Sequence, residues 1–148
     1  MTDAVLLDAG PLGMISHPRA SGDIVEWLAM LVAAGVEVLI PEVADYEVRR
    51  ELLRTGGRRG IERLDLLKMS LGFVPITSDA MLSAAAFWAD ARRRGRPTAS
   101  DQSLDADAIL AGQAATLNRS EVIVASSNPK HIARFVPAQR WQDIPTHK

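Results

Sequence analysis

The apolar positions of this chain alternate between short continuous runs and stretches with helical spacing. The continuous runs predict strands at residues 4–8 (AVLLD), 36–40 (VEVLI), 73–76 (FVPI), 121–126 (EVIVAS) and 140–144 (RWQDI). Elsewhere apolar residues recur every three or four positions and predict helices at residues 21–34, 41–57, 58–72, 78–95, 104–118 and, as a short piece, 128–135. Strands that alternate with helices predict an α/β fold, a three-layer sandwich with a central, mostly parallel sheet flanked by helices.

Residues with special backbone or capping properties refine these boundaries. The letters AGP directly after the first strand predict a turn. Ser78 is placed to cap the helix that begins there, and Asp105 is placed to cap the helix of residues 104–118. Asp107 is then expected in the first turn of that helix, and residues 92–103 are predicted to form a polar loop.

The length and composition of the chain restrict the classes of protein to which it can belong. The chain has 148 residues, of which 47% are hydrophobic, so we expect one domain over residues 1–148. The net charge of −1 does not predict a purely electrostatic grip on nucleic acid or membrane. The absence of cysteine excludes disulfides and Cys-based zinc sites and suits a reducing cytoplasm, the expected location. The first apolar run is too short for a signal peptide or a membrane span, so no membrane partner is expected.

Acidic and amide side chains are placed near the strand ends where parallel sheets bind ligands. Asp8 ends the first strand, Glu47 lies in the helix after the second strand, and Asn128 follows the fourth. Asp105 and Asp107 begin the helix that leads into that fourth strand. Oxygen ligands of this kind suit Mg²⁺ or Mn²⁺, and crowded carboxylates repel one another unless a cation lies between them. The pattern therefore predicts a metal site.

Each of these residues also has an ordinary structural interpretation. Asp8 and Asn128 are typical of turns, and Glu47 is spaced to pair with Arg50 on a helix surface. Asp105 and Asp107 suit a helix N-terminus. The functional interpretation depends on their convergence.

Two segments in the first half of the chain resemble motifs of the PIN-domain nuclease family, which includes the VapC-type toxins. LLDAGPL resembles the first motif, with Asp8 as its acid and Ala9 where Ser or Thr is usual. PEVADYEVRREL resembles the second motif, whose glutamate is matched best by Glu47, with Glu51 as the alternative.

The resemblance continues in the second half and so covers nearly the whole chain. In DADAILAGQA, which resembles the third motif, Asp107 takes the position of the metal ligand and Asp105 that of an accessory acid. In IVASSNPKHIARF, which resembles the fourth motif, Ser126 takes the hydroxyl position and Asn128 the position of an acid or amide. An amide there lowers the charge of the site and is expected to weaken binding of a second metal ion.

The resemblance implies an Mg²⁺- or Mn²⁺-dependent endoribonuclease that hydrolyses RNA phosphodiester bonds, as the toxin of a toxin–antitoxin pair. It implies Asp8, Glu47 and Asp107 as catalytic residues and Ser126 as an accessory. The implied metal ligands are Asp8, Glu47, Asp105, Asp107 and Asn128.

Two alternatives stay open. Ala9 and Asn128 also suit a catalytically weak PIN-like RNA-binding module. A small α/β phosphatase or nucleotide-binding domain is the other, and the absence of a Gly-rich loop after the first strand disfavours it.

Arginine clusters accompany the acids, and most of them are typical of solvated helix faces. Four flank helices near the expected site and are candidates for binding the RNA backbone: Arg58, Arg59, Arg94 and Arg96. The resemblance also implies a homodimer, for which the surface of residues 42–72 is the expected interface.

Overall fold

The computed structural model describes residues 2–95 and 101–147, and the side chains of residues 101–103 are outside the description. The sheet has five strands in the order β3-β2-β1-β4-β5, and every pair of neighbours is parallel. The strands are β1 (Ala4–Leu7), β2 (Glu37–Pro41), β3 (Gly72–Val74), β4 (Val122–Ser126) and β5 (Ala138–Arg140). The predicted parallel sheet is therefore confirmed.

Six α-helices cover the two faces of the sheet: α1 (Ala9–Ser16), α2 (Gly22–Ala33), α3 (Glu42–Thr55), α4 (Arg58–Ser70), α5 (Ser78–Arg93) and α6 (Asp101–Ala115). Two short 3-10 helices, Ile132–Arg134 and Trp141–Asp143, flank β5. Among the described residues, none of the helices combines the length and apolar character needed to cross a membrane.

The alternating side chains of the strands divide the core into two layers. Val5 and Leu7 of β1 point into the layer packed by helices α1 and α2, whereas Ala4 and Leu6 point into the layer packed by α6. All four of these side chains are fully buried, as expected for a central strand covered on both faces. The predicted three-layer α/β fold is confirmed by this arrangement.

Gly112 allows α6 to pack closely against α5. A Cβ atom on Gly112 would lie 2.2 Å from the carbonyl oxygen of Ala80, so no larger residue fits without moving the α5 backbone. This close approach helps to fix the position of α6, which carries the candidate acids Asp105 and Asp107.

The predicted turn after the first strand is wrong, because residues 9–16 form helix α1. Pro11 lies in its first turn, where the missing N–H costs no intrahelical hydrogen bond. Asp8 is the N-cap, and its carboxylate accepts a hydrogen bond from the backbone N–H of Ala9. The residue combination that suggested a turn therefore begins a capped helix.

Three further boundaries differ from those predicted. Helix α6 begins at Asp101, so Asp105 is not its cap and Asp107 is not in its first turn; apolar spacing gives no signal over the polar first turn. Thr77, not Ser78, caps α5, and its hydroxyl accepts from the N–H of Ala80. The last strand lies at Ala138–Arg140 and overlaps the predicted segment only at Arg140, because Trp141–Asp143 form a 3-10 helix.

Candidate active site

Strands β1 and β4 are neighbours in the sheet, and their carboxyl ends bring two segments together. Asp8 follows β1, and its backbone N–H donates to the carbonyl of Ala125 over 2.9 Å. Ser126 is the last residue of β4, and Asn128 lies just beyond it. The register pairs Leu7 with Ala125, so Asp8 and Ser126 face each other at the same edge.

Hydrogen bonds hold the carboxylate of Asp8 on both oxygens. Oδ1 accepts from the N–H of Ala9 at 2.7 Å, and Oδ2 accepts from the Ser126 hydroxyl at 2.9 Å. The same hydroxyl oxygen accepts from the backbone N–H of Asn128 at 3.1 Å. Ser126, only 2% exposed, thus fixes both the acid and the turn that carries Asn128.

Two more acids reach this edge from helices. Glu47 lies in α3, which follows β2, and Asp107 lies in α6, which precedes β4. Gln113 connects these helices: its Oε1 accepts from the N–H of Val43 at the start of α3, and its Nε2 donates to the carbonyl of Val74. Sequence reasoning missed Gln113, although a glutamine within an otherwise apolar helix face is a signal of a buried polar contact.

The converging residues surround one open pocket with a volume of about 270 Å³. We call it the acidic pocket, and it is lined by Asp8, Ala9, Gly10, Glu47, Ala106, Asp107, Ser126, Ser127 and Asn128. Gly10 is needed for its shape, because a Cβ there would lie 2.4 Å from Oγ and 2.9 Å from Cβ of Ser127. The first turn of α1 therefore contacts the turn after β4 directly.

Burial raises the pKa of all three carboxylates of the acidic pocket, and neighbouring acids raise it further for Glu47 and Asp107. Burial, followed by the charge of Asp8, raises the pKa of Asp107 to about 6. Burial and the nearby charges of Asp8 and Asp107 raise the pKa of Glu47, against a smaller opposite effect of Arg50. Burial raises the pKa of Asp8 despite the hydrogen bonds from Ala9 and Ser126. The fold thus holds three acids where their ionised forms are disfavoured.

The structure brings five of the candidate residues together and leaves two acids elsewhere. Asp105 is exposed and lines a separate depression with Met81 and Trp88. Asp105 and Asp107 differ by two helical positions, about 200° around the axis, so one helix cannot present both to the same pocket. Glu51, the alternative to Glu47, is exposed and paired with Arg54.

The candidate RNA-binding arginines have different surroundings. The side chain of Arg58 is 91% exposed and lies 3.4 Å from Glu62 at the start of α4, beside the exposed Arg59. Arg94 lies 3.2 Å from Asp90 and lines a groove next to Arg134, a residue that sequence reasoning did not single out. Arg96 lies outside the described residues.

The acidic pocket offers oxygen donor atoms, which are the ligands that a hard divalent cation prefers. Three carboxylates, two hydroxyls and an amide line it, and oxygen donors of this kind suit Mg²⁺ and Mn²⁺. Within residues 2–95 and 101–147, no three His, Asp or Glu side chains are close enough together to form a complete metal site. A cation would therefore have to draw these side chains closer.

Comparisons with known proteins support the fold. No family model matches the chain, and no curated protein matches it in sequence. It is similar to VapBC2 from Rickettsia felis, solved bound to a DNA fragment from their promoter, with a TM-score of 0.72 and 11% identity over 93% of this chain and 98% of that chain.

Two other solved structures are similar over nearly their whole length. VapBC-1 from nontypeable Haemophilus influenzae gives a TM-score of 0.69 and 16% identity over 95% of this chain and 99% of that one. FitAcB from Neisseria gonorrhoeae gives a TM-score of 0.69 and 17% identity over 95% of this chain and 99% of that one. The resemblance to the VapC-type PIN fold is confirmed at the level of the fold.

Proposed function

We propose that this chain is an endoribonuclease that uses Mg²⁺ or Mn²⁺ to hydrolyse RNA phosphodiester bonds. The observation that carries the proposal is the convergence of Asp8, Glu47 and Asp107, from three separate elements, on one open pocket. Ionised acids that repel one another reduce the stability of a fold unless a cation compensates them. Clusters of acids that cost stability in this way are typical of functional sites in proteins.

The residues of the acidic pocket divide into ligands and supports. Asp8, Glu47 and Asp107 would hold the cation, and Asn128 offers an amide beside them. When bound, the ion would lower the pKa of a water molecule and neutralise charge on the scissile phosphate. Ser126 keeps the Asp8 carboxylate in one orientation, and Gln113 keeps the helices that carry Glu47 and Asp107 in register.

Cleavage of a single-stranded RNA tests this proposal, and the chain offers a matched control on one helix. We expect Asp8→Asn and Asp107→Asn each to reduce Mg²⁺- or Mn²⁺-dependent cleavage by more than about 100-fold, the scale on which a lost charge-stabilising group acts. Asp105→Asn removes the same charge outside the pocket and should retain activity within about threefold.

Circular dichroism would show that the variants are folded. Unchanged cleavage in both pocket variants would overturn the proposal. A wild-type protein that binds RNA but shows no EDTA-sensitive cleavage would instead support a catalytically weak RNA-binding module. Ala9 and Asn128 are the sequence indications for that alternative.

We also infer that the protein acts in the cytoplasm as a toxin held by an antitoxin protein. The support is the VapC-like motif order together with similarity to structures that carry the paired names VapBC and FitAcB. Induced expression should arrest bacterial growth, Asp8→Asn should not, and coexpression of a small protein from the adjacent reading frame should restore growth. Normal growth on induction of the wild type would contradict the toxin role.

A homodimer through α3 and α4 remains part of the proposal. Large apolar side chains on these helices are exposed: Tyr46, Leu53, Leu66 and Met69, the last 84% exposed. Exposed groups of this kind are typical of interaction surfaces when they are contiguous. Light scattering should show a dimer that Leu53→Glu with Met69→Glu dissociates, and a wild-type monomer at high concentration would contradict it.

A further inference from the structure

A second cavity, of about 360 Å³, lies between the C-terminal end of α5 and the 3-10 helix Ile132–Arg134. We call it the basic groove, and its described lining is Asp90, Ala91, Arg94, Arg134 and Phe135. The 3-10 helix begins four residues after Asn128, so one short segment joins the basic groove to the acidic pocket. The rings of Phe87 and Phe135, with centroids 5.3 Å apart, hold this segment against α5.

The two guanidinium groups of the basic groove differ in their partners. Arg94 is paired with Asp90, which also lies 3.9 Å from Arg93. Arg134 is exposed. Its Nε lies 3.5 Å from the carbonyl oxygen of His131, its Nη2 lies 3.5 Å from His131 Nδ1, and its guanidinium lies 5.8 Å from the Phe135 ring centre. In the described part of the chain no carboxylate is at ion-pair distance from it.

Arg134 lies on the short segment that leads from the acidic pocket into the basic groove. It is the last residue of the 3-10 helix Ile132–Arg134 and follows Asn128, which lines the acidic pocket, by six positions. Its side chain lines the basic groove. A polyanion that extends from the acidic pocket into the basic groove would meet this guanidinium.

We propose that the basic groove binds the RNA backbone beside the phosphate to be cleaved, and that Arg134 is the main phosphate-binding residue there. This inference rests on the proposed ribonuclease function. A guanidinium without a carboxylate partner can donate two parallel hydrogen bonds to a phosphate, whereas Arg94 must first give up part of its bond to Asp90. Arg134 thus positions the substrate and takes no part in the chemistry.

Binding of a fluorescent single-stranded RNA, measured in EDTA so that no cleavage occurs, tests the inference at several salt concentrations. Arg134→Ala should weaken binding about threefold to tenfold and reduce the slope of log affinity against log salt by about 0.7, the contribution of one phosphate contact. Arg134→Lys should restore most of the slope. In cleavage assays Arg134→Ala should raise KM while kcat stays within about twofold.

Arg119→Ala is the matched control, because Arg119 pairs with Glu37 at the amino end of the sheet and its loss changes the net charge equally. A salt slope of Arg134→Ala equal to that of wild type would overturn the inference and leave the ribonuclease proposal intact, provided that wild type cleaves. Equal slopes for Arg134→Ala and Arg119→Ala would also overturn it. Salt-dependent binding that needs Arg134, without metal-dependent cleavage, would overturn the ribonuclease proposal instead.

Discussion

The Ser126 hydroxyl donates a 2.9 Å hydrogen bond to the carboxylate of Asp8 and so links two residues that are 118 positions apart in the chain. The bond holds together the carboxyl ends of the neighbouring strands β1 and β4. Because Ser126 is buried and also accepts from the N–H of Asn128, one side chain controls the orientation of two candidate site residues.

Ser126→Ala should therefore affect both stability and metal binding. The change removes two hydrogen bonds and leaves the Asn128 N–H without this partner, so we expect a loss of about 1–3 kcal/mol in the free energy of unfolding. Urea denaturation measures this loss, and titration with Mn²⁺ should show weaker binding. Ser127→Ala is the control, because the Ser127 side chain makes no hydrogen bond in the described part of the chain, and equal effects of the two variants would refute the role of Ser126.

Gly10→Ala should impair the acidic pocket more than the fold. The new Cβ would clash with Ser127, and relief requires the turn after β4 to move away from α1. We expect a stability loss of about 1–3 kcal/mol and a larger proportional loss of RNA cleavage. Gly22→Ala, where no atom lies within 4 Å of the new Cβ, should leave both quantities unchanged. Gly10→Ala combined with Ser127→Gly should recover activity, and failure to recover would show that the clash is not the cause.

Asp107 should make the metal-free protein less stable as the pH rises. Its folded pKa of about 6 is above the usual value of an aspartate, so the folded state binds the proton more tightly than the unfolded state. Its stabilising contribution is complete below about pH 4 and is lost as the pH rises through about 6.

Asp107→Asn should consequently raise the free energy of unfolding in EDTA by about 1 kcal/mol near neutral pH. This value is smaller than the full pKa shift implies, because solvent screens the charge of this partly exposed group. The gain should vanish near pH 4. Urea denaturation at both pH values measures it, with Glu26→Gln, an exposed acid of α2, as the control. A gain that is the same at both pH values would mean that it does not come from this titration.

Gln113→Leu should destabilise the protein although it adds an apolar side chain to a buried position. The change leaves the Val43 N–H and the Val74 carbonyl without their Gln113 partner, which costs about 2–4 kcal/mol. Thermal or urea denaturation checks this, with the exposed Gln139→Leu as the control. A loss no larger than that of the control would show that these hydrogen bonds contribute little.

The periodicity of the sequence predicted the architecture because each element carries a strong local signal. The continuous apolar run of residues 4–8 predicted a buried strand. Gly56 predicted the end of α3, where it adopts the positive φ of 73° that is typical of a glycine at a helix C-terminus. Helix α1 was missed because its Gly and Pro are typical of turns when considered one at a time, and the capping role of Asp8 depends on the backbone that follows.

The candidate site was predictable in outline because parallel strands bring their carboxyl ends to one edge. Asp8, Glu47, Asp107, Ser126 and Asn128 meet at one pocket for this reason. Local helix rules could not separate Asp105 from Asp107, and only the motif resemblance favoured Asp107, because their assignment depends on the rotation of α6 about its axis. That rotation is set by the contact between Gly112 and Ala80, which is a property of packing between helices.

The acidic pocket draws its residues from segments that range from Asp8 to Asn128. During synthesis the first of these leaves the ribosome long before the last, so a growing chain that ends before β4 lacks both Ser126 and the partner strand that orients Asp8. No incomplete translation product of this kind can assemble the pocket. If the protein is a growth-inhibiting nuclease, its activity begins only when almost the whole domain has been made, which leaves time for an inhibitor to be present first.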